Sequence, residues 1–175
     1  SFVYPLPFFI DSSFVNPQKY PSIFNMILNK NIKSEILKIA TNLNITTDVI
    51  GCHIRASDYI DIDPNIIKRI YNIKTKIKNN KMKRYFICSD ESRFEKLFNN
   101  IDNVVIYKKK YDIKKEDENK GCYSKNCYRG TGYVLESVVD LCLLSMCNTE
   151  NDSYHSLPGS TFLDSARKIK GWDKI

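Results

Sequence analysis

Three short apolar runs alternate with helix-length amphipathic stretches along the chain, and this alternation constrains the fold more than any other feature. The runs, at residues 48–54, 84–89 and 103–107, are rich in β-branched and aromatic residues and too short for helices. Strands that alternate with helices of this length form parallel sheets with right-handed crossovers. We therefore predict an α/β fold, a Rossmann-like three-layer αβα domain with a parallel sheet.

Local signals indicate where the helices begin. Residues 22–43 carry Ile and Leu three and four positions apart, which predicts one amphipathic helix or a pair. Asp63 is a suitable N-cap with Pro64 at the first helical position, and Asp90 or Ser92 is expected to cap the helix after the second strand. Two further helices are predicted at 134–146 and 161–171. Residues 108–132 are predicted to be a long loop.

Composition bounds the class of protein. The 175 residues, 42% hydrophobic with six Gly and six Pro, suffice for one core and exclude collagen-like or low-complexity chains. The formal charge of +7 favours anionic partners, although we interpret most of it as scattered lysine. No apolar run approaches the roughly 18 residues that span a bilayer, and the opening segment lacks signal-peptide features. We expect a soluble chain without a transmembrane segment; its compartment, cytoplasm or secretory lumen, stays open.

The six cysteines do not follow the spacing of a structural zinc site, because both close pairs are separated by four residues. Cys52, Cys88, Cys142 and Cys147 lie in apolar segments and are predicted to be buried thiols. Cys122 and Cys127 lie in the long loop and are the candidate disulfide or redox pair. No metal site is predicted.

Polar residues cluster where predicted elements meet the carboxyl edge of the sheet, the usual ligand-binding edge of such folds. His53 and Arg55 project to the same side of the first strand, and Asp58 follows where it can orient the arginine. An arginine there can clamp a diphosphate. The alternative is a strand-end histidine beside a surface Arg–Asp pair.

Two further polar clusters could bind a ligand, but helix capping explains each of them equally well. Asp90 ends the second strand and could accept hydrogen bonds from guanine or a ribose hydroxyl, or cap a helix. Before the last helix, Gly159 permits close backbone approach, while Ser160 and Thr161 offer hydroxyls and backbone N–H groups to an anion. Plain N-capping explains this segment as well.

Taken in order, four segments resemble the GDP-fucose-dependent fucosyltransferase superfamily, which includes α1,2-, α1,6- and protein O-fucosyltransferases. The segments are GCHIRASDY, YFICSDE, VLESVVDLCLLSMC with its mid-helix Asp140, and LPGSTFLDSA. The resemblance covers residues 48 to about 170. It implies the nucleotide-sugar-binding half of a two-Rossmann-domain (GT-B) glycosyltransferase, with residues 1–47 as a leader and 48–175 as the GDP-sugar-binding domain.

The resemblance also implies residue roles. Arg55 would bind the β-phosphate and stabilise the leaving GDP, with His53 beside it, and Asp58 would orient Arg55 or the acceptor. Asp90 would read guanine. The diphosphate and nucleotide would be held by Ser160, Thr161 and Phe162. The implied reaction is an inverting, metal-independent transfer of fucose from GDP-fucose to a glycan or protein hydroxyl.

Some features depart from that family or favour other classes. Ala56 stands where several families carry a second basic residue, and the 1–47 leader is too short for a complete acceptor domain. We therefore expect the donor-binding part of a larger enzyme, or alternatively a non-catalytic nucleotide-sugar- or glycan-binding domain.

Two rival classes are less favoured. Asp61 and Asp63 match the sequence pattern of a metal-binding Asp-x-Asp motif, but a helix start explains them better. The basic segments at 74–84 and 108–120 lack the interleaved aromatics of a nucleic-acid platform, so we interpret them as solvated faces. No nucleic acid is expected as a partner.

Overall fold

A computed structural model describes residues 30–57, 59–110 and 131–174 of the chain. The predictions for Asp58, for the Cys122–Cys127 pair and for a helix before residue 30 lie outside the described residues. The helices are α1 (Lys30–Asn42), α2 (Ile66–Asn79), α3 (Ser92–Glu95), α4 (Thr131–Met146) and α5 (Thr161–Lys168), and the strands are β1 (Ile50–Ile54), β2 (Tyr85–Ser89) and β3 (Val104–Ile106). Short 3₁₀ turns follow at Lys96–Phe98, Asp152–Tyr154 and Trp172–Lys174.

The three strands form a parallel sheet in the order β1-β2-β3, which confirms the predicted α/β class. Ile50 of β1 pairs with Tyr85 of β2, and Tyr85 pairs with Val104 of β3. On the other edge of β1, Asn148 forms a single parallel bridge with Ile50. There the Asn148 N–H donates to the Val49 carbonyl, and the Gly51 N–H donates to the Asn148 carbonyl. The segment after α4 therefore occupies the place of a fourth parallel strand.

Helices cover both faces of the sheet because side chains alternate along each strand. On one face, Phe86 and Cys88 of β2 pack in a core with residues of α1, α4 and α5. On the other face the core combines Cys52, Ile54, Tyr85 and Ile87 with the isoleucine stripe of α2 and the phenylalanines Phe94 and Phe98. The arrangement is three-layered and compatible with a Rossmann-like fold.

Helix α1 belongs to this domain's core. Its Ile36 and Ala40 are buried in the same cluster as Leu143 and Leu144 of α4. The described part of the segment predicted as a leader therefore packs on the sheet with α4.

Gly51 allows the chain after α4 to lie against β1. A Cβ at this position would stand 2.8 Å from Leu144 Cδ1, 2.9 Å from Cys147 Cβ and 3.1 Å from Thr149 Cγ2. These separations are shorter than van der Waals contact, so only glycine fits without displacement. The close approach brings the segment after Asn148 beside the end of β1.

Two predicted helix starts were wrong. Helix α2 begins at Ile66 with Asn65 as its N-cap, because Asp63 Oδ1 instead accepts a hydrogen bond from the Asn65 N–H, at 2.9 Å, in a turn. Helix α3 has Glu91 as its N-cap, so neither Asp90 nor Ser92 performs the predicted capping. The Ser160 cap of α5 is confirmed, since its hydroxyl accepts from the Leu163 N–H.

Cys52, Cys88, Cys142 and Cys147 are buried and unpaired, as predicted. Burial raises the pKa of all four thiols, most simply because a thiolate would lose its hydration. Over the described residues, no helix has the length and apolar character needed to cross a membrane.

Candidate functional site

The chain reverses its winding direction at the edge of β1. Helix α2, which follows β1, packs on one face of the sheet, whereas α5, which follows the Asn148 segment, packs on the other. The two connections therefore diverge at the carboxyl end of β1, and we call the space between them the crevice. In open α/β sheets this switch point is where ligands bind.

His53 joins β1 to the start of α5 at this point. Its Nδ1 lies 3.2 Å from Ser160 Oγ, and its ring stacks on Phe162 with centroids 4.7 Å apart. The resemblance implied binding roles for these three residues, which come from two separate segments of the sequence. The fold brings them into direct contact.

The His53 ring is neutral at ordinary pH. Burial above all, together with the nearby His155, Arg55 and Lys109, lowers its pKa to about 3. His53 therefore contributes hydrogen bonding and stacking to the site rather than positive charge.

His155 and Ser156 complete the outer edge of β1, and the sequence patterns missed both. The His53 N–H donates to His155 Nδ1 at 3.0 Å, while His155 Nε2 lies 3.3 Å from the Thr149 carbonyl. This pair of contacts requires the neutral ring with its proton on Nε2. The Ser156 N–H also donates to the His53 carbonyl.

The Ser156 hydroxyl hydrogen-bonds to both backbone polar groups of Arg55. It accepts from the Arg55 N–H at 2.7 Å and donates to the Arg55 carbonyl at 2.8 Å. Hydrogen bonds from the His155 and Ser156 side chains thus replace backbone hydrogen bonds that a full fourth strand would make with β1. The one available signal was that His155 is the second of only two histidines in the chain.

Arg55 is half-buried at the end of β1, where its guanidinium carbon lies 5.4 Å from the centre of the Tyr59 ring. This is within the range of a cation–π contact. With its backbone fixed by Ser156 and its side chain against Tyr59, Arg55 supplies positive charge at the mouth of the crevice.

Asp90 supports the loop after β1. Its Oδ1 accepts from the Ala56 N–H, and its Oδ2 accepts from the N–H and hydroxyl of Ser57. A carboxylate offers about four acceptor positions, and these three donors occupy most of them. Guanine recognition by Asp90 stays a prediction.

The N-terminus of α5 presents backbone donors to the crevice. Ser160 caps the Leu163 N–H, and no described residue accepts from the Thr161 or Phe162 N–H. Gly159 before Ser160 has φ +71, a left-handed conformation that favours glycine, and a Cβ at this position would meet nothing within 4 Å. The two amides and the helix dipole form a polar surface suited to an anion.

A buried ionic cluster, which the sequence did not predict, lies at the carboxyl ends of β2 and β3. Lys109 Nζ contacts the Ser89 carbonyl at 2.8 Å, Asp140 Oδ2 at 2.7 Å and Glu95 Oε1. Asp140 Oδ1 is buried without a hydrogen-bond partner. Burial and the adjacent Glu95 raise the pKa of Asp140 to about 7, although Lys109 opposes the shift.

The predicted site residues thus divide into two groups. His53, Ser160 and Phe162 form one contact cluster, with Arg55 at its edge. Asp90 instead contacts the loop at Ala56 and Ser57, and Thr161 is exposed. Ala56 is fully buried, so a second basic residue at this position would not fit the core.

Within the described ranges, no group of three His, Cys, Asp or Glu side chains is arranged to hold a metal ion. Asp63 pairs with Arg69 at 3.4 Å, and Asp61 is exposed. No family model, curated protein or solved structure matches the chain. The geometry at the switch point and the motif resemblance are therefore the two indications of function.

Proposed function

We propose that the chain binds a GDP-sugar, GDP-fucose above all, in the crevice at the carboxyl end of β1. The observation that carries the proposal is the convergence of four motif residues, His53, Arg55, Ser160 and Phe162, at the switch point of the sheet. These residues come from segments more than 100 positions apart and meet where the winding reverses.

The diphosphate would lie against the start of α5. The Thr161 and Phe162 N–H groups would donate to its oxygens, and the positive end of the helix dipole would favour its charge. Ser160 keeps its capping role and its contact with His53. Arg55 would approach from the opposite side of the crevice, since it follows β1 rather than α5.

We further propose that the reaction is an inverting, metal-independent transfer of fucose. An acceptor hydroxyl on a glycan or protein would attack fucose C1 and lose its proton to solvent as the bond from C1 to the β-phosphate oxygen breaks. Negative charge grows on the departing GDP during this step, so Arg55 would bind the transition state more strongly than the ground state. His53 cannot replace it, because its ring is neutral.

Asp90 and Ser156 would position Arg55 through its backbone. Asp90 holds the Ala56 and Ser57 amides and so fixes the backbone that follows Arg55. Ser156 fixes the Arg55 backbone from the other side. In this proposal the domain is the donor-binding half of a GT-B enzyme, and the acceptor site involves a further part of that enzyme.

Calorimetric titration of the folded chain with GDP, GDP-fucose and GDP-mannose tests the proposal. We expect GDP to bind and Arg55→Ala to abolish binding, because the variant removes the charge opposite the diphosphate. Arg69→Ala is the matched control: Arg69 is an exposed residue of α2 that pairs with Asp63 in the preceding turn, and its loss should leave affinity unchanged.

A folded chain that does not bind GDP would overturn the proposal. If GDP-fucose binds but is neither hydrolysed nor transferred, the domain binds the nucleotide sugar without catalysis. Activity that survives EDTA supports the metal-independent step, and loss of activity in EDTA contradicts it.

A further inference from the structure

The positive charge of the chain is concentrated rather than scattered. Between Pro64 and Ser89 the sequence has eight of its 27 basic residues and none of its 20 acidic residues. The rest of the chain, with 19 basic and 20 acidic residues, is almost neutral. This corrects the interpretation of the +7 charge as scattered lysine and points to α2 and the turn that follows it.

The lysines of this segment are available to a partner. Two arginines are committed within the fold: Arg69 pairs with Asp63, and Arg84 donates to the carbonyls of Leu43 and Asn44 at 3.2 Å. The lysines make no ion pair with any described residue, and all are exposed except the half-buried Lys74. They are Lys68, Lys74, Lys76, Lys78, Lys81 and Lys83.

Large apolar side chains lie exposed among these lysines. Ile67, Tyr71, Lys74 and Lys78 are four, three and four residues apart, so they share one stripe of α2 beside its buried isoleucines. In the turn after α2, Met82 is 92% exposed between Lys81 and Lys83. Ile67 and Tyr71 are exposed one turn apart, so they form a small apolar patch rather than isolated exposed side chains.

We propose that this α2 face, Lys74 and Lys78 with Ile67 and Tyr71 on the stripe and Lys81, Met82 and Lys83 in the turn, docks on an anionic lipid bilayer. Lysines near such a surface gain from its negative potential, while exposed apolar side chains enter the headgroup boundary. A nucleic-acid partner is disfavoured, because the two arginines that could form forked contacts are engaged elsewhere and one tyrosine is no stacking platform. The face does not include Arg55 or α5, so it is independent of the proposed nucleotide site.

Co-sedimentation of the full chain with vesicles of phosphatidylcholine alone, or with added phosphatidylserine, tests docking. We expect binding only to the anionic vesicles and loss of binding at high salt. Lys74→Gln with Lys78→Gln should weaken binding about tenfold or more, since each lysine near the surface contributes substantially. Met82→Ser should weaken binding but preserve its salt dependence.

Lys30→Gln with Lys38→Gln is the matched control, because it removes the same charge from α1 on the other face of the sheet. This pair should leave vesicle binding within about twofold of wild type. Equal effects of the two double variants would overturn the proposal, as would a lack of preference for anionic vesicles. Binding to a duplex or single-stranded RNA without binding to vesicles would also overturn it. All these substitutions lie on the surface, so circular dichroism should show unchanged folding.

Discussion

Two polar regions lie side by side at the carboxyl edge of the sheet, and they are built in opposite ways. At β1, His53, His155, Ser156 and Ser160 are neutral and hydrogen-bond to backbone or to each other. At β2 and β3, one ammonium, Lys109, lies between the carboxylates of Glu95 and Asp140. The first region is satisfied, whereas the second leaves Asp140 Oδ1 without a partner.

The difference separates binding from support. Neutral groups that fix the backbone of β1 leave the charge of Arg55 and the α5 amides as the electrostatic features that an anion would meet. The ionic cluster instead joins elements: Lys109 and Glu95 hold the Ser89 carbonyl and N–H, and Ser89 Oγ donates to the Ile54 carbonyl. We infer that the ionic region carries more stability and the neutral region carries more of the site's geometry.

Lys109→Met should have the largest effect. The side chain is 6% exposed, and its loss would leave two buried carboxylates without a counter-charge. Removing one partner of a buried ion pair costs about 3–5 kcal/mol, which we expect in the free energy of unfolding measured with urea at pH 8. Lys108→Met, at an exposed neighbouring position, is the control and should change stability little. A loss below about 1 kcal/mol for Lys109→Met would show that the cluster does not support the edge.

Ser156→Ala should have an intermediate effect and act on the neutral region. It deprives the Arg55 N–H and carbonyl of their shared partner. An unsatisfied buried backbone group costs about 1–3 kcal/mol, and the same unfolding experiment measures it. Ser153→Ala removes an exposed hydroxyl bonded to Asn151 and should be close to neutral. GDP affinity should fall with Ser156→Ala but not with Lys108→Met; an unchanged affinity would mean that Ser156 does not position Arg55.

The strands and most helices could be predicted from the sequence because each has a local signal. The β-branched runs coincide with β1, β2 and β3, and the isoleucine stripe identifies the buried face of α2. The predicted starts of α2 and α3 were wrong for a local reason too. Asp63 accepts a hydrogen bond within a turn and Asp90 accepts hydrogen bonds from the loop after β1, and these bonds compete with capping.

The site was only half predictable. His53, Arg55 and Ser160 follow the rule that ligand residues lie at strand ends and helix starts. His155 and Ser156 lie in a segment without periodicity, and their role depends on a strand that stops after one bridge at Asn148. Lys109 is one of three consecutive lysines, so nothing local distinguishes the buried one from its exposed neighbours.

The smallest expected effect is on the pH dependence of stability between pH 6 and 8. With rising pH the ionic region loses stability, whereas the neutral region gains it. The folded-state pKa of Asp140 is raised to about 7, so its contribution to stability is present at low pH and is lost as pH rises through 7. Burial lowers the pKa values of His53 and His155 below 6.5, so their contribution is present above 6.5 and falls as pH decreases.

These contributions oppose each other, and we expect a nearly flat profile for the wild-type chain in urea unfolding from pH 6 to 8. Asp140→Asn removes the falling component and should produce stability that rises by about 1 kcal/mol across this window. His155→Asn, whose amide oxygen can still accept from the His53 N–H, should instead produce stability that falls. Parallel profiles for the two variants would contradict the division into a neutral and an ionic region. Opposite slopes would locate the titrating carboxyl in the ionic cluster and the titrating imidazoles at the edge of β1.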